Sequence, residues 1–245
     1  MSTKITIDKQ CRLDLGALAQ MYRLRAKIFG ERMGWEVAVL SGMEIDEYDA
    51  QSTYYMLMRD SYNEVCGCWR LLPTEGPYML RNTFPQLLYA HNAPVSPRVW
   101  ELSRFAIVSR ERSRFGFGEL ALDAMRAVVA FADRHRITNY VTVTTTAVER
   151  LLIRARIATR RYGPPMRIGN ADAIALSIDL GEQTHEALFG GEPSAAPAYD
   201  GFQQSLGPAD EGAAGLVESE RFVHLARETD ALGDRDANRG RILLV

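Results

Sequence analysis

The sequence predicts a mixed α/β domain with helices packed on a central sheet. Three observations carry that expectation. Apolar residues recur at helical spacing near the N-terminus, and short β-branched and aromatic runs follow. Strand and helix patterns then alternate up to about residue 180, the order of a layered α/β fold.

Each element can be read in turn. Leu15, Leu18, Ala19, Tyr22, Ala26 and Phe29 set an amphipathic helix over residues 15–29, with Gly30 as its stop. Residues 31–51, rich in charge and glycine, read as a long loop, and such loops in compact domains are usually functional or disordered. Ser52–Met58 and Val65–Leu72 read as strands around a polar turn at Asp60–Asn63, and the proline-bearing stretch 73–98 as irregular. Val99–Val108 is a third strand. Arg114-Phe-Gly-Phe-Gly118 opens a helix running to about His135, followed by a strand at Asn139–Thr145. Ala147–Tyr162 reads as a helix ended by Pro164 and Pro165, and Ala173–Leu180 as the last strand. Beyond residue 190 the texture becomes small, polar and acidic, so the sequence divides into a domain at 1–190 and a flexible tail at 191–245. Within that tail, Val217–Leu232 has the pattern of a short helix and Ile242–Val245 is an apolar tip.

Composition narrows the class. The 245 residues are 47% hydrophobic and 24% charged, ordinary for a globular protein with a real core. No run is long and apolar enough to cross a membrane, and MSTKITIDKQ lacks the apolar stretch of a secretory signal, so a cytoplasmic protein without a membrane partner is expected. Cys11, Cys66 and Cys68 make no disulfide framework, and His91, His135, His185 and His224 show no zinc spacing, so no metal is expected. The net charge of −2 hides a segregation. Residues 98–168 hold fourteen arginines against six acids, a net of +8, whereas residues 169–245 hold five against fourteen, a net of −9. A basic middle of that size implies an anionic partner: nucleic acid, an acidic carrier protein or a phosphopantetheine phosphate.

Several clusters have the residue types of a site. Arg25 and Phe29, four apart, share a helix face, and the loop behind them supplies Trp35, Glu44, Asp46 and Asp49. Aromatic rings beside carboxylates suit a cationic ligand with an apolar side, although a solvated acidic loop has the same composition. Arg70 in Trp69-Arg70, and Glu101 and Arg104 in Trp100-Glu-Leu-Ser-Arg-Phe105, are charges embedded in apolar strands. Such charges must be paired, which points either to an interior polar site or to a structural ion-pair network. In a regular strand Glu101 and Arg104 face opposite sides, so a shared pocket requires a bulge between them. Gly116 and Gly118 at a helix start would let backbone approach a phosphate, as in the pyrophosphate turn of the Gcn5-related N-acyltransferase fold. Arg150, Arg154 and Arg161 fall on one stripe of the Ala147–Tyr162 helix and suit an acidic partner. Thr142 and Thr144 share one face of their strand and could donate to an acyl oxygen, or serve as sheet filler.

Taken together, Arg25-x3-Phe29, Trp35, Glu44-Ile-Asp46-x2-Asp49, Cys68-Trp-Arg70 and Trp100-Glu-Leu-Ser-Arg-Phe-Ala106 resemble the signature of the LuxI-type autoinducer synthases, the acyl-homoserine-lactone synthases. Gly76-Pro-Tyr-Met-Leu80 and Asn82-Thr-Phe-Pro85 resemble the branch making long-chain 3-oxo products. The resemblance spans about residues 20 to 190. It implies an acyltransferase-like three-layer sandwich, with a largely antiparallel twisted sheet opened by a V-shaped cleft. It further implies transfer of an acyl group from an acyl-acyl-carrier-protein to the amine of S-adenosylmethionine, then lactone closure with release of methylthioadenosine. S-adenosylmethionine is then a substrate, and no cofactor is needed. Residue by residue, it implies an S-adenosylmethionine site of Arg25, Phe29, Trp35, Asp46 and Asp49, and a catalytic centre of Glu101, Arg104 and Arg70 with Glu101 nominated as base. It implies an acyl pocket of Ser103, Phe105, Thr142 and Thr144, and a carrier-protein or phosphopantetheine contact at Gly116, Gly118, Arg150 and Arg154. Two other readings stand beside it: an N-acyltransferase using acyl-CoA and a different amine, and a non-catalytic nucleic-acid-binding module. The second is disfavoured because the arginines lack a helix-turn-helix context and the strand-embedded charges would go unexplained.

Overall fold

The computed structural model describes residues 3–109, 119–190 and 241–244. Its elements run β1 (Lys4–Lys9), α1 (Leu15–Arg25), a short hairpin of β2 (Val39–Leu40) and β3 (Met43–Glu44), β4 (Tyr54–Arg59), β5 (Val65–Pro73), α2 (Met79–Asn82) and β6 (Val99–Ser109). They continue with α3 (Glu119–His135), β7 (Asn139–Thr145), α4 (Thr146–Arg154), β8 (Thr159–Arg161), β9 (Met166–Ile168), β10 (Ala171–Asp179), α5 (Glu182–Phe189) and β11 (Arg241–Leu244).

The predicted α/β class is the one observed. The main sheet runs β1-β4-β5-β6-β7-β10-β8, with β9 on β10 and β11 on β6. Among the described strands only β6 and β7 pair in parallel, over Val99–Leu102 against Asn139–Thr142. Beyond Leu102 that pairing ends, and the edge of β6 is next taken, at Ala106–Ser109, by β11. The pairing thus opens between β6 and β7, and the family resemblance expects a V-shaped cleft in the sheet.

Side-chain alternation gives the sheet two apolar faces, each buried under helices. On one face Met56, Trp69, Leu102, Phe105, Tyr140 and Ile174 pack with Met125, Val128 and Phe131 of α3. On the other, Tyr55, Leu57 and Cys68 meet Leu18, Met21 and Tyr22 of α1, while Leu72, Val141 and Ala175 meet Met79 and Leu80 of α2. The result is the expected three-layer arrangement.

Several expectations need correction. The first helix does not stop at Gly30: a π-helical turn, Ala26–Arg32, continues it, and the supposed loop at 31–51 contains the β2–β3 hairpin. The helix at 147–162 ends at Arg154. Arg156 takes a left-handed conformation, φ 60°, and residues 159–161 become β8 against β10. Arg161 therefore leaves the helix stripe and pairs with Glu149 at 2.5 Å. The strand β1 and the helices α2 and α5 carry too few periodic residues to be read from sequence. Gly116, Gly118 and residues 191–240 lie outside the described residues.

Candidate active site

The site is assembled from α1, its π-helical extension, the loop after β3, and the centres of β5 and β6. Asp14 caps α1 by accepting from the Ala17 N–H at 2.9 Å, and the helix delivers Arg25, fully buried, at its last turn. The wider turn that follows bonds the Met33 N–H to the Ile28 carbonyl and the Trp35 N–H to the Phe29 carbonyl, both at 3.0 Å. It folds Trp35 back so that its ring stacks on Phe29 at 5.6 Å. Such a turn re-aims side chains that a regular helix would spread around its axis.

The irregularity that a shared pocket for Glu101 and Arg104 requires in the third strand is present. Between β5 and β6 the register runs Cys68 to Ala106 and Arg70 to Ser103, so two steps on β5 face three on β6. Arg104 is the residue that absorbs the difference, with φ 58°. Phase is inverted there: Leu102 and Phe105 both face α3, whereas Ser103 and Arg104 both face α1 and α2.

Three guanidiniums and three carboxylates then meet in the interior. Arg25 donates through Nε to Glu44 and through Nη1 and Nη2 to Asp49 at 2.8 and 2.9 Å. Arg70 donates through Nη1 to Asp46 and Asp49 at 2.5 and 2.8 Å, and through Nε to the Ser103 hydroxyl at 3.1 Å. Arg104 donates through Nε and Nη2 to Glu44 at 3.1 and 2.8 Å, and through Nη2 to Asp46 at 3.1 Å. The Tyr55 hydroxyl donates to Asp49. Burial pushes the Glu44 carboxyl up, but Arg25 and Arg104 outweigh it and hold it below the usual carboxylate range. The same opposition, with Arg25 and Arg70 winning, holds Asp49 far lower.

Glu101 stands apart from this balanced set. Its carboxylate accepts the backbone N–H groups of Met79 at 3.0 Å and Leu80 at 2.7 Å, which anchors the first turn of α2. Burial raises its pKa, and those two N–H groups only partly offset the effect. Counting Glu101 as ionised, the interior charge is one negative in excess.

Beside the ion network lies a cavity of about 380 Å³ lined by Trp35, Met79, Thr83, Phe84, Arg104 and Gly169, among others. Trp35 and Phe84 form one wall, ring centres 6.0 Å apart. Phe29 is sealed behind them with the Arg104 guanidinium over its ring at 5.1 Å, so it supports the wall and does not face the cavity.

Of the residues predicted from sequence, Arg25, Phe29, Trp35, Asp46, Asp49, Arg70, Glu101 and Arg104 come together here. The predicted acyl pocket divides. Thr142, Thr144 and Phe105 face α3, on the side that holds Trp69, whose ring lies 4.3 Å from Phe105. Ser103 faces the other way, onto Arg70. Both threonine hydroxyls are buried without a hydrogen-bond partner among the described residues. Arg150 and Arg154 are exposed on α4. Sequence reasoning misses Met79, Phe84 and Tyr55 as site residues, and it puts Glu44 in the acidic cluster but not among the implied S-adenosylmethionine residues. Met79 and Phe84 lie inside the two short motifs that carried the long-chain resemblance, and Glu44 inside the acidic one. Among the described residues no helix is long and apolar enough to cross a membrane, and no group of His, Cys, Asp and Glu could hold a metal ion.

Comparison with known proteins finds relatives over most of the chain. The autoinducer synthase family model matches residues 10–188. An acyl-homoserine-lactone synthase of Pseudomonas aeruginosa is 48% identical over 189 residues, 76% of this chain and 94% of the relative, and one from Aliivibrio fischeri is 38% identical over 68% and 88%. Among solved structures, the acyl-homoserine-lactone synthase LasI superimposes with a TM-score of 0.73 at 47% identity, covering 78% of this chain and 96% of LasI. The CoA-dependent synthase BjaI, solved with S-adenosylmethionine and isopentyl-CoA, gives 0.72 at 30% identity over 83% and 96%. An acyl-CoA N-acyltransferase of Pseudomonas aeruginosa, at 14% identity and a TM-score of 0.51 over 72% of this chain and 99% of its own, shares the fold.

Proposed function

The chain belongs to the autoinducer synthase family and is an acyl-homoserine-lactone synthase, an acyltransferase, and on that premise we propose how its site divides the reaction. S-adenosylmethionine occupies the cavity between Trp35, Phe84 and Arg104. The observation carrying this is the further carboxylate of Glu101 next to a balanced ion network, beside an aromatic wall. A sulfonium and an ammonium match the charge, and the nucleoside matches the wall. BjaI has been solved with S-adenosylmethionine, in support of that ligand class.

In the first step the substrate amine, deprotonated, attacks the thioester carbon. The C–S bond breaks, and the amine proton passes through a base to the departing thiolate, which leaves as the thiol. Glu101 has the raised proton affinity a base needs, and it also anchors α2. Its variant Glu101→Gln separates the two roles: as a base, its loss removes the acidic limb of the rate profile, whereas as an anchor alone it lowers the rate at every pH. In the second step the substrate carboxylate attacks the carbon beside the sulfonium, that C–S bond breaks, and neutral methylthioadenosine leaves. The sulfonium is already activated, so orientation is what the protein supplies. Cys68 takes no part as a nucleophile, because burial pushes its thiol up to about 12.

The donor is an acyl-acyl-carrier-protein. The exposed Arg150 and Arg154, without ion-pair partners among the described residues, and the +8 charge of residues 98–168 support an acidic protein over a free thioester. BjaI is CoA-dependent, so both donors belong in the test. Purified protein is incubated with S-adenosylmethionine and either donor, and lactone and methylthioadenosine are followed by mass spectrometry. Faster turnover with the carrier-protein donor is expected. Preference for acyl-CoA overturns the donor assignment, and release of an open-chain acyl product without methylthioadenosine overturns lactone closure.

A further inference from the structure

Across Arg25, Arg70 and Arg104, all nine guanidinium nitrogens have partners among the described residues, and seven of them bond to oxygen. The other two, Arg70 Nη2 and Arg104 Nη1, converge on the thioether of Met79, at 2.9 and 3.3 Å from Sδ. Met79 lies at the first turn of α2 with its own N–H fixed by Glu101, and its side chain lines the cavity beside Trp35 and Phe84. A neutral sulfur is a weak acceptor, whereas a carboxylate held by two guanidiniums makes charge-assisted bonds about twice as strong as neutral ones. Every guanidinium nitrogen except two thus meets an oxygen, and those two point at the cavity wall with only a weak acceptor.

We propose that Met79 Sδ is a placeholder for the α-carboxylate of the substrate, holding Arg70 Nη2 and Arg104 Nη1 in position until that carboxylate displaces it. The inference rests on the assignment of S-adenosylmethionine to this cavity. It adds a positioning residue that sets discrimination in favour of ligands bearing a carboxylate. Methionine suits the task because its unbranched, flexible side chain can swing aside at small cost. Glu101 contributes by fixing where that side chain starts.

The test uses two substitutions of opposite sign and two ligands. Met79→Leu keeps the volume and removes the acceptor, so no hydrogen bond need be broken when the carboxylate enters. Met79→Gln sets an amide oxygen, a stronger acceptor, at about the place of the sulfur. Dissociation constants are measured by calorimetry for S-adenosylmethionine and for its decarboxylated analogue. For S-adenosylmethionine, binding should tighten about 3- to 10-fold with leucine and weaken by a similar factor with glutamine, the range of one hydrogen bond. The decarboxylated analogue should change less than about twofold in both. In steady state the effect should fall on KM for S-adenosylmethionine, leaving KM for the acyl donor in place. If leucine fails to tighten binding, or if both ligands shift alike, Met79 only fills space and the inference is wrong. A wild-type protein that binds neither ligand overturns the substrate assignment itself, and the inference with it.

Discussion

Glu101 and Arg104, three residues apart on β6, lie on the same face of the sheet because Arg104 adopts a left-handed backbone conformation with φ 58°. A residue with a Cβ gives up roughly 1–2 kcal/mol in that conformation. Here Arg104 is held there by four contacts from its guanidinium to Glu44, Asp46 and Met79. Replacement by glycine and by alanine should therefore differ. Both remove the charge and should lower kcat/KM by roughly a hundredfold or more. Arg104→Gly relieves the backbone and should unfold about 1 kcal/mol later than Arg104→Ala in urea, provided the bulge persists. Equal stability of the two variants would mean that the bulge collapses once the guanidinium is gone.

The shifted carboxylates set opposite pH dependences. Glu44 and Asp49 titrate below their ordinary values of 4.5 and 3.8 in the folded chain. The stability they contribute is present above those values and lost as pH falls through the depressed ones. Glu101 is raised above 4.5, so its contribution is complete below that value and declines as pH rises through the raised one. The melting temperature should therefore hold as pH falls through 5 and drop steeply only in stronger acid. Glu101→Gln cannot ionise, so its deficit against wild type should shrink as pH rises. A deficit that grows with pH would contradict the raised pKa.

How far this was legible in the sequence differs by layer. Strands β4 to β7 and helix α3 announce themselves through period and β-branching, and their burial follows. The charged residues Arg25, Arg70, Glu101 and Arg104 stand out because each interrupts an apolar pattern, and the conflict between Glu101 and Arg104 itself predicts the bulge. Partners are harder. Nothing in the spacing says that Glu44 accepts hydrogen bonds from both Arg25 and Arg104, because those partners lie 19 and 60 residues from it. Met79 reads as one more apolar residue, since a thioether acceptor carries no charge to betray it. The helical pattern at 147–162 runs past the helix's actual end because arginine and alanine favour helix, whereas β10 is available to pair with residues 159–161.

Gly169 offers a check on the aromatic wall. It sits at φ 55°, and a Cβ there would lie 2.9 Å from Cδ1 of Trp35 and 3.1 Å from the carbonyl oxygens of Met33 and Gly34. Neither carbonyl can yield easily, so Trp35 must. Gly169→Ala should cost about 1–2 kcal/mol of stability through the backbone alone. It should also raise KM for S-adenosylmethionine several-fold while leaving KM for the acyl donor near its wild-type value. A change confined to the donor would move Trp35 out of the proposed S-adenosylmethionine site.

Thr142 and Thr144 test the acyl pocket from the opposite face of the sheet. Their relative exposures are 3% and 1%, and neither hydroxyl has a partner among the described residues. A buried hydroxyl left unpaired costs about 1–3 kcal/mol, so these two destabilise the free protein unless a ligand oxygen completes them. Valine has nearly the same shape without the hydroxyl. Thr142→Val and Thr144→Val should therefore melt at or above the wild-type temperature, the reverse of what a satisfied core threonine would show. If the missing partner is the 3-oxo group of the acyl chain, the same variants should lower the ratio of 3-oxo to unsubstituted lactone, read by mass spectrometry with both donors present. Raised stability with an unchanged product ratio would leave the hydroxyls unsatisfied in the complex as well, and the acyl chain would have to run elsewhere.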